Sequence, residues 1–364
     1  MVDQPKIGVV LPYGESFGIL KSGAVALCAR DFASHSRFRD SITIIGGGPC
    51  EYSDVRYLRI EDWRRWWMRG RKAYARAVAH VALEEGFAVL EIQNRPSVVE
   101  EIRRRLPRIK LALHLHNDPQ TMAGSRSAAD RARLLRQVDA VYCVSEFIRG
   151  RFLQGIRDEA DKTILVYNGV AANLPTAPKE RIIAFVGRVI PVKGVAELVR
   201  AFALAAPDLP EWRLVIAGVD AEGLLSGPRA PLVREREVLA AQLTLMGQVS
   251  HAEAMALFAR AEIAVVPSLW QEPLSRSAIE ALASGCALIA TRVGGLAEVA
   301  AGAGEIVDAS DIAAFAVALR RIATDEPLRA RLQEQGRGKA REVFDIQRVT
   351  AVLDAARARL LAVP

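Results

Sequence analysis

The sequence predicts an α/β protein of two domains, each a parallel sheet covered by helices. Three observations carry this expectation. The 364 residues exceed what one hydrophobic core usually organises, so two domains of ordinary size are the starting point. Hydrophobic residues make up 51% and charged residues 25%, which supplies two cores and gives no compositional sign of disorder. Short β-branched or apolar runs alternate with longer helical patterns, and this alternation stops and restarts once.

In the first half KIGVVLP, SITIIGG, FAVLEIQ, KLALHLHND, AVYCVSE and TILVYNG read as strands, separated by helical stretches such as residues 73–85 and 127–138. AANLPTAPKE, residues 171–180, has neither period and reads as a linker. The alternation restarts near Arg181 with RIIAFVG, a helix around 195–206, WRLVIAG, LTLMGQ, the helix AEAMALFARA, EIAVVPS, a helix over 275–284, CALIATR and GEIVDA. After Asp311 the chain is mostly helical and rich in Ala, Arg and Glu, which by composition reads as a solvated amphipathic cover.

The opening MVDQPKIGVVLPYG lacks the pattern of a secretory signal, and no apolar run approaches the ~20 residues of a membrane span, so a cytoplasmic protein is expected. Cys28, Cys50, Cys143 and Cys286 are far apart, with no CxxC pair, and read as reduced core residues. The net charge is +7; residues 1–170 hold 27 Lys and Arg against 20 Asp and Glu, while residues 171–364 hold 22 of each. The excess in the first half points to an anionic partner.

The densest signal is SLWQEPLSRSAIEALASG, where a strand ends at Pro267, Glu272 precedes Pro273, and Glu280 lies on the helix that follows. If Pro273 opens that helix, the backbone N–H groups of Leu274, Ser275 and Arg276 face an anion, and Glu272 and Glu280 share one face two turns apart. A bound nucleotide sugar fits between them. The second signal is FVGRVIPVKG, in which a strand delivers Arg188 and Lys193 into a turn at its carboxyl end, suited to phosphate charge. His116 ends the strand LALHLHNDP, with His114 on the same face as the alternative. Gly14 and Gly18 shape the loop after the first strand, and in Ser22–Gly23 the glycine admits close backbone approach while the serine suits a helix cap.

In this order these segments resemble the retaining glycosyltransferase family 4 and its GT-B fold of two Rossmann-like domains facing a cleft. The resemblance runs through LPYG, SGAVALCARDFA, HLHND, VSEFIRGRF, VYNGV, GRVIPVKG, VIAG, MGQVSHAEAMALFARAEIAVVPS, QEPLSRSAIEALASG and RVGGLAEV. It implies an acceptor-binding domain over 1–172, a nucleotide-sugar-binding domain over 173–345, and a final helix over 346–364 that packs back on the first domain. It also implies that Arg188 and Lys193 bind the donor diphosphate, Glu280 the ribose hydroxyls, and Glu272 the hydroxyls of the transferred sugar. Leu274, Ser275 and Arg276 would offer backbone groups, and His116 would lie against the donor sugar. Ser275 and Arg276 depart from the glycine and the leucine or valine that many members carry there. No Asp-x-Asp occurs, so no metal is expected and the nucleotide sugar is a co-substrate rather than a cofactor.

Three other classes compete. A nicotinamide or flavin oxidoreductase would need GxGxxG, which is missing. A nucleic-acid-binding module would suit the basic first half, but no such motif accompanies it. An epimerase or hydrolase acting on a nucleotide sugar would share the donor site and differ by needing no acceptor.

The most basic stretch, residues 56–76, carries eight Lys and Arg, two acids and Trp63, Trp66 and Trp67. Helical spacing would put the tryptophans on one side with Arg69 among the flanking cations, as at an anionic membrane interface. Many members of the resembled family act on lipid-linked acceptors, so the expected partner is a glycan or lipid-linked acceptor at the inner leaflet.

Overall fold

The computed structural model describes residues 5–18, 23–60, 70–156, 160–171, 174–225 and 233–362. Strands β1 (Lys6–Val10), β2 (Ile42–Gly46), β3 (Arg56–Arg59), β4 (Phe87–Gln93), β5 (Lys110–Leu115), β6 (Ala140–Cys143) and β7 (Thr163–Leu165) form one sheet in the order β3-β2-β1-β4-β5-β6-β7. Strands β8 (Glu180–Val186), β9 (Arg213–Ala217), β10 (Leu243–Gly247), β11 (Ala261–Val266), β12 (Ala287–Thr291) and β13 (Gly304–Val307) form a second in the order β10-β9-β8-β11-β12-β13. Every pairing is parallel. Helices cover parallel sheets on both faces, which is why central strands such as β5 and β12 read as continuous apolar runs.

All these strands except β3 are visible as runs in the sequence. β3, RYLR, is an edge strand with exposed arginines at both ends, so it has no buried face to show. It lies inside the basic stretch that helical spacing was expected to organise.

The chain divides into two compact units, Met1–Gly169 with Ile346–Pro364, and Val170–Asp345. The last helix, Ile346–Ala362, therefore belongs to the first unit. Its Ile346, Val349, Leu353, Ala356 and Leu360 recur every three or four residues and pack with Ile7, Val9 and Val89 in that unit's core. Arg357 on the same helix is 1% exposed and forks onto both oxygens of Glu91 in β4, at 2.8 Å each. A third nitrogen donates to Asp354 at 3.0 Å, and Asp354 also accepts from Ser36 Oγ and the Arg37 N–H. Burial alone would lower the guanidinium pKa, but the Glu91 carboxylate more than offsets this and holds it above its ordinary value. The last helix is thus amphipathic as composition reads it, with Val352 and Arg359 exposed, but its inner face is buried and ion-paired.

Helix starts follow local chemistry. Ser127 with Asp130, and Ser250 with Glu253, form capping boxes at residues 128 and 251. All four cysteines are free; Cys28, Cys143 and Cys286 are buried and Cys50 is half-buried. Among the described residues no helix is long and apolar enough to cross a membrane.

Candidate active site

In an open parallel sheet, ligands bind beyond the carboxyl ends of the strands where the strand order reverses. In the second unit that point lies between β8 and β11. The loop after β8 supplies Arg188, which is exposed, and Lys193, which closes a short 3-10 turn over Pro191–Lys193. Gly194 follows at φ +68°, and a Cβ there would stand 1.9 Å from the Pro267 carbonyl, so only glycine lets the two loops meet.

The loop after β11 carries Glu272, which is 4% exposed. Its Oε1 accepts from Ser268 Oγ at 2.6 Å and from the Lys193 ammonium. The Lys193 Nζ also sits 5.5 Å above the Trp270 ring. Backbone bonds fix this loop on both sides: Leu269 N–H donates to the Val192 carbonyl, and the Glu272 carbonyl accepts from Gly295 N–H. Lys193 and Glu272, expected at the diphosphate and at the sugar attached to it, thus meet each other directly.

The next helix starts where the sequence pattern over 275–284 puts it, but Pro273 does not open it. Helix Arg276–Ala283 begins three residues beyond Pro273, because the Ser275 side chain caps it by accepting from the Ala278 N–H. Leu274 and Ser275 therefore precede the first turn, whose N–H groups are those of Arg276, Ser277 and Ala278. Glu272 lies outside the helix, so it shares no helical face with Glu280. The hydroxyl at residue 275 decides this, since it is a better cap than the preceding leucine.

Glu280 is 6% exposed, and its Oε1 takes His251 Nε2 at 2.9 Å and Arg276 NH2 at 3.3 Å. Burial raises its pKa, but the His251 hydrogen bond and the Arg276 charge outweigh that and leave it below the usual carboxylate value. His251 had no sequence signal as a site residue; its place after a capping serine reads only as the start of a helix. Glu272 and Glu280 share one feature. Each is a buried carboxylate whose Oε1 receives all the contacts described, while Oε2 accepts none among the described residues.

In the first unit the order reverses between β1 and β4. His116 follows β5, is 8% exposed, and its Nε2 lies 2.9 Å from Gln93 Oε1 at the end of β4. The next residue, Asn94, holds a positive φ of 53° and accepts from the His116 and Asn117 N–H groups. Gln93 and Asn94 were not anticipated, because neither type is distinctive at a strand end. His114 stacks on His116 with ring centroids 4.2 Å apart. It is fully buried, and burial, then His116 and Arg357, push its pKa well down, so it is neutral.

Gly14 lies exposed in the turn after β1, with open space beside its Cα. Gly23 precedes helix Ala24–Ser34, but a Cβ there would stand 2.1 Å from Glu15 Oε1. The close approach that Gly23 allows is thus already used by the Glu15 carboxylate, whose pKa burial raises against the opposing Ala26 N–H and Arg95. Ser22, Trp63, Trp66, Trp67 and Arg69 lie outside the described residues. Among the described residues no three or more His, Cys, Asp or Glu side chains gather as a metal would require.

Two α/β units with these strand orders, and the carboxyl-end sites they create, define the GT-B architecture of glycosyltransferases. Residues 171–339 match the family described as glycosyl transferases group 1. YtcC of Bacillus subtilis is 27% identical over 300 residues, which cover 75% of this chain and 73% of that protein. The MMP alpha-(1->4)-mannosyltransferase of Mycolicibacterium hassiacum is 31% identical over 227 residues, covering 60% of this chain and 54% of that enzyme, so the match spans about half its length. Among solved structures, Anabaena HepE in complex with UDP superposes with a TM-score of 0.78 at 17% identity, covering 97% of this chain and 100% of that one. These findings support a glycosyltransferase.

Proposed function

We propose that this chain is a retaining, metal-independent glycosyltransferase of family 4 that moves a sugar from a nucleoside diphosphate donor to a glycan or lipid-linked acceptor of the cell envelope. The observation that carries this reading is the pair of largely buried carboxylates, Glu272 held by Lys193 and Ser268 and Glu280 by His251 and Arg276, each with one oxygen that takes no partner among the described residues. Neither oxygen is among the buried side-chain atoms that lack a partner, so each is open to a donor from outside the protein, and sugar or ribose hydroxyls are such donors. Lys193 has three N–H donors and gives one to Glu272, which leaves two for phosphate.

In this reading the anomeric carbon passes from the phosphate oxygen to the acceptor hydroxyl oxygen on the face the nucleotide leaves from. The hydroxyl passes its proton to the departing phosphate oxygen, and Arg188 and Lys193 offset the charge that remains on the diphosphate. Glu272 and, by the family resemblance, His116 serve the transferred sugar. Leu274, Ser275 and Arg276 line the approach to the helix start.

The test is a thermal-shift screen against nucleoside diphosphates and their sugars, where a ligand at one hundred times its dissociation constant adds about 2.7 kcal/mol of stability. Glu280→Ala is expected to raise the donor KM about 10- to 150-fold with little change in kcat, as the loss of hydrogen bonds to a charged group predicts. An unchanged KM in a folded variant removes Glu280 from the ribose. Release of free sugar without an acceptor would instead favour a hydrolase.

The acceptor side of the proposal is docking on an anionic inner leaflet through residues 56–76. Arg71 and Lys72 at the end of that stretch, and Arg104, Arg105, Arg133 and Arg136 outside it, are exposed on helices Arg71–Glu85, Pro96–Arg105 and Ala128–Gln137, which pack in series. Arg104 and Arg105 both pair with Glu101, so Arg71, Lys72, Arg133 and Arg136 are the cations this reading offers to a charged membrane, each adding about 1 kcal/mol near it. Sedimentation with anionic but not neutral liposomes, weakened by salt and by the combined Trp66→Ala, Trp67→Ala, Arg69→Ala change, is the expected result. Equal sedimentation of parent and variant, or none by either, points to a soluble acceptor.

A further inference from the structure

We propose that His251 is a positioning residue: together with Arg276 it clamps one oxygen of Glu280 and so presents the other to the ribose of a bound nucleotide. This rests on the reading of Glu280 as the ribose carboxylate. Glu280 is anionic, and a carboxylate without a proton only accepts, so His251 Nε2 carries the proton and donates. His251 is the first residue of helix His251–Arg260, and the Ser250–Glu253 capping box holds that first turn in place. Glu253 is turned back onto Ser250 Oγ and its N–H, while Glu280, which also pairs with Arg276, meets the imidazole. The His251 side chain is 50% exposed while that of Glu280 is 8% exposed, so solvent reaches the imidazole more freely than the carboxylate it holds.

The two donors act differently. Arg276 is four residues from Glu280 on the same helix, and its guanidinium fork can take both oxygens of a carboxylate. His251 comes from another helix and pulls on Oε1 alone. Without His251, Glu280 is expected to turn onto Arg276 and withdraw Oε2 from the ligand. The arginine that departs from the family pattern at residue 276 thereby makes His251 necessary.

The experiment titrates UDP, GDP and ADP into the parent, H251A, H251Q, E280A and the H251A/E280A double variant by calorimetry, with circular dichroism to check folding. For whichever diphosphate the parent binds tightest, H251A is expected to weaken binding about 10-fold, the loss of one hydrogen bond to a charged group. H251Q, whose amide N–H has a similar reach, should restore affinity to within about threefold, and H251A should cost nothing further in the E280A background. A merely structural role would show neither the rescue nor the non-additivity. Binding by H251A within about twofold of the parent, or additive losses in the double variant, overturns the proposal while leaving the nucleotide site intact. Failure of the parent to bind any of the three overturns the reading of the site itself and the proposal with it.

Discussion

Arg357→Ala is expected to cost the first unit about 3–5 kcal/mol, because it strands the Glu91 carboxylate in the core without its counter-ion. The penalty belongs to the uncompensated charge and only partly to the lost hydrogen bonds. A double variant with Arg357→Met and Glu91→Leu should therefore be more stable than Arg357→Ala alone, although it removes more polar contacts. Asp354 keeps Ser36 and the Arg37 N–H as donors in both variants. The measurement is urea denaturation, read in the transition of the unit that contains the last helix, since two units need not unfold together. A single variant within about 1 kcal/mol of the parent would mean that water reaches Glu91 and that the pair is dispensable.

Glu272→Ala is expected to lower kcat about 10²- to 10³-fold, the scale seen when one preorganised polar group is removed from a reacting centre. Nucleoside diphosphate affinity should hold or rise, because Lys193 loses its carboxylate partner and keeps all its donors for phosphate. This split separates a group at the sugar from one at the nucleotide: binding energy that appears only in the transition state moves kcat. Glu272→Gln should recover part of the loss, since it still accepts from Ser268. His116→Ala is expected to follow the same pattern with a smaller loss. Normal turnover in either alanine variant removes that residue from the reacting centre, and a matching loss of diphosphate binding moves it to the nucleotide.

The sequence by itself determined the fold class, the six strands of the second sheet, six of the seven in the first, and the residues that end the key strands. These features arise from interactions within a few positions. Buried strands are apolar because both faces are covered, capping serines bond three residues ahead, and Gly194 marks a turn that other residues strain to enter. It missed β3, whose edge position gives it no apolar face; it placed the helix after Glu272 to within a residue, but the condition that Pro273 opens it is not met, because Ser275 is the cap.

Which charge meets which was decided by the tertiary structure alone. Lys193 and Glu272 are 79 residues apart, His251 and Glu280 are 29 apart, and Arg357 and Glu91 are 266 apart. None of these separations corresponds to a helical or strand period. The pairs exist because strand order brings distant loops to one edge of a sheet, and because the last helix returns to the first unit. There a low dielectric makes an unpartnered charge far more costly than it would be in the unfolded chain, so burial selects the partners that local pattern leaves open.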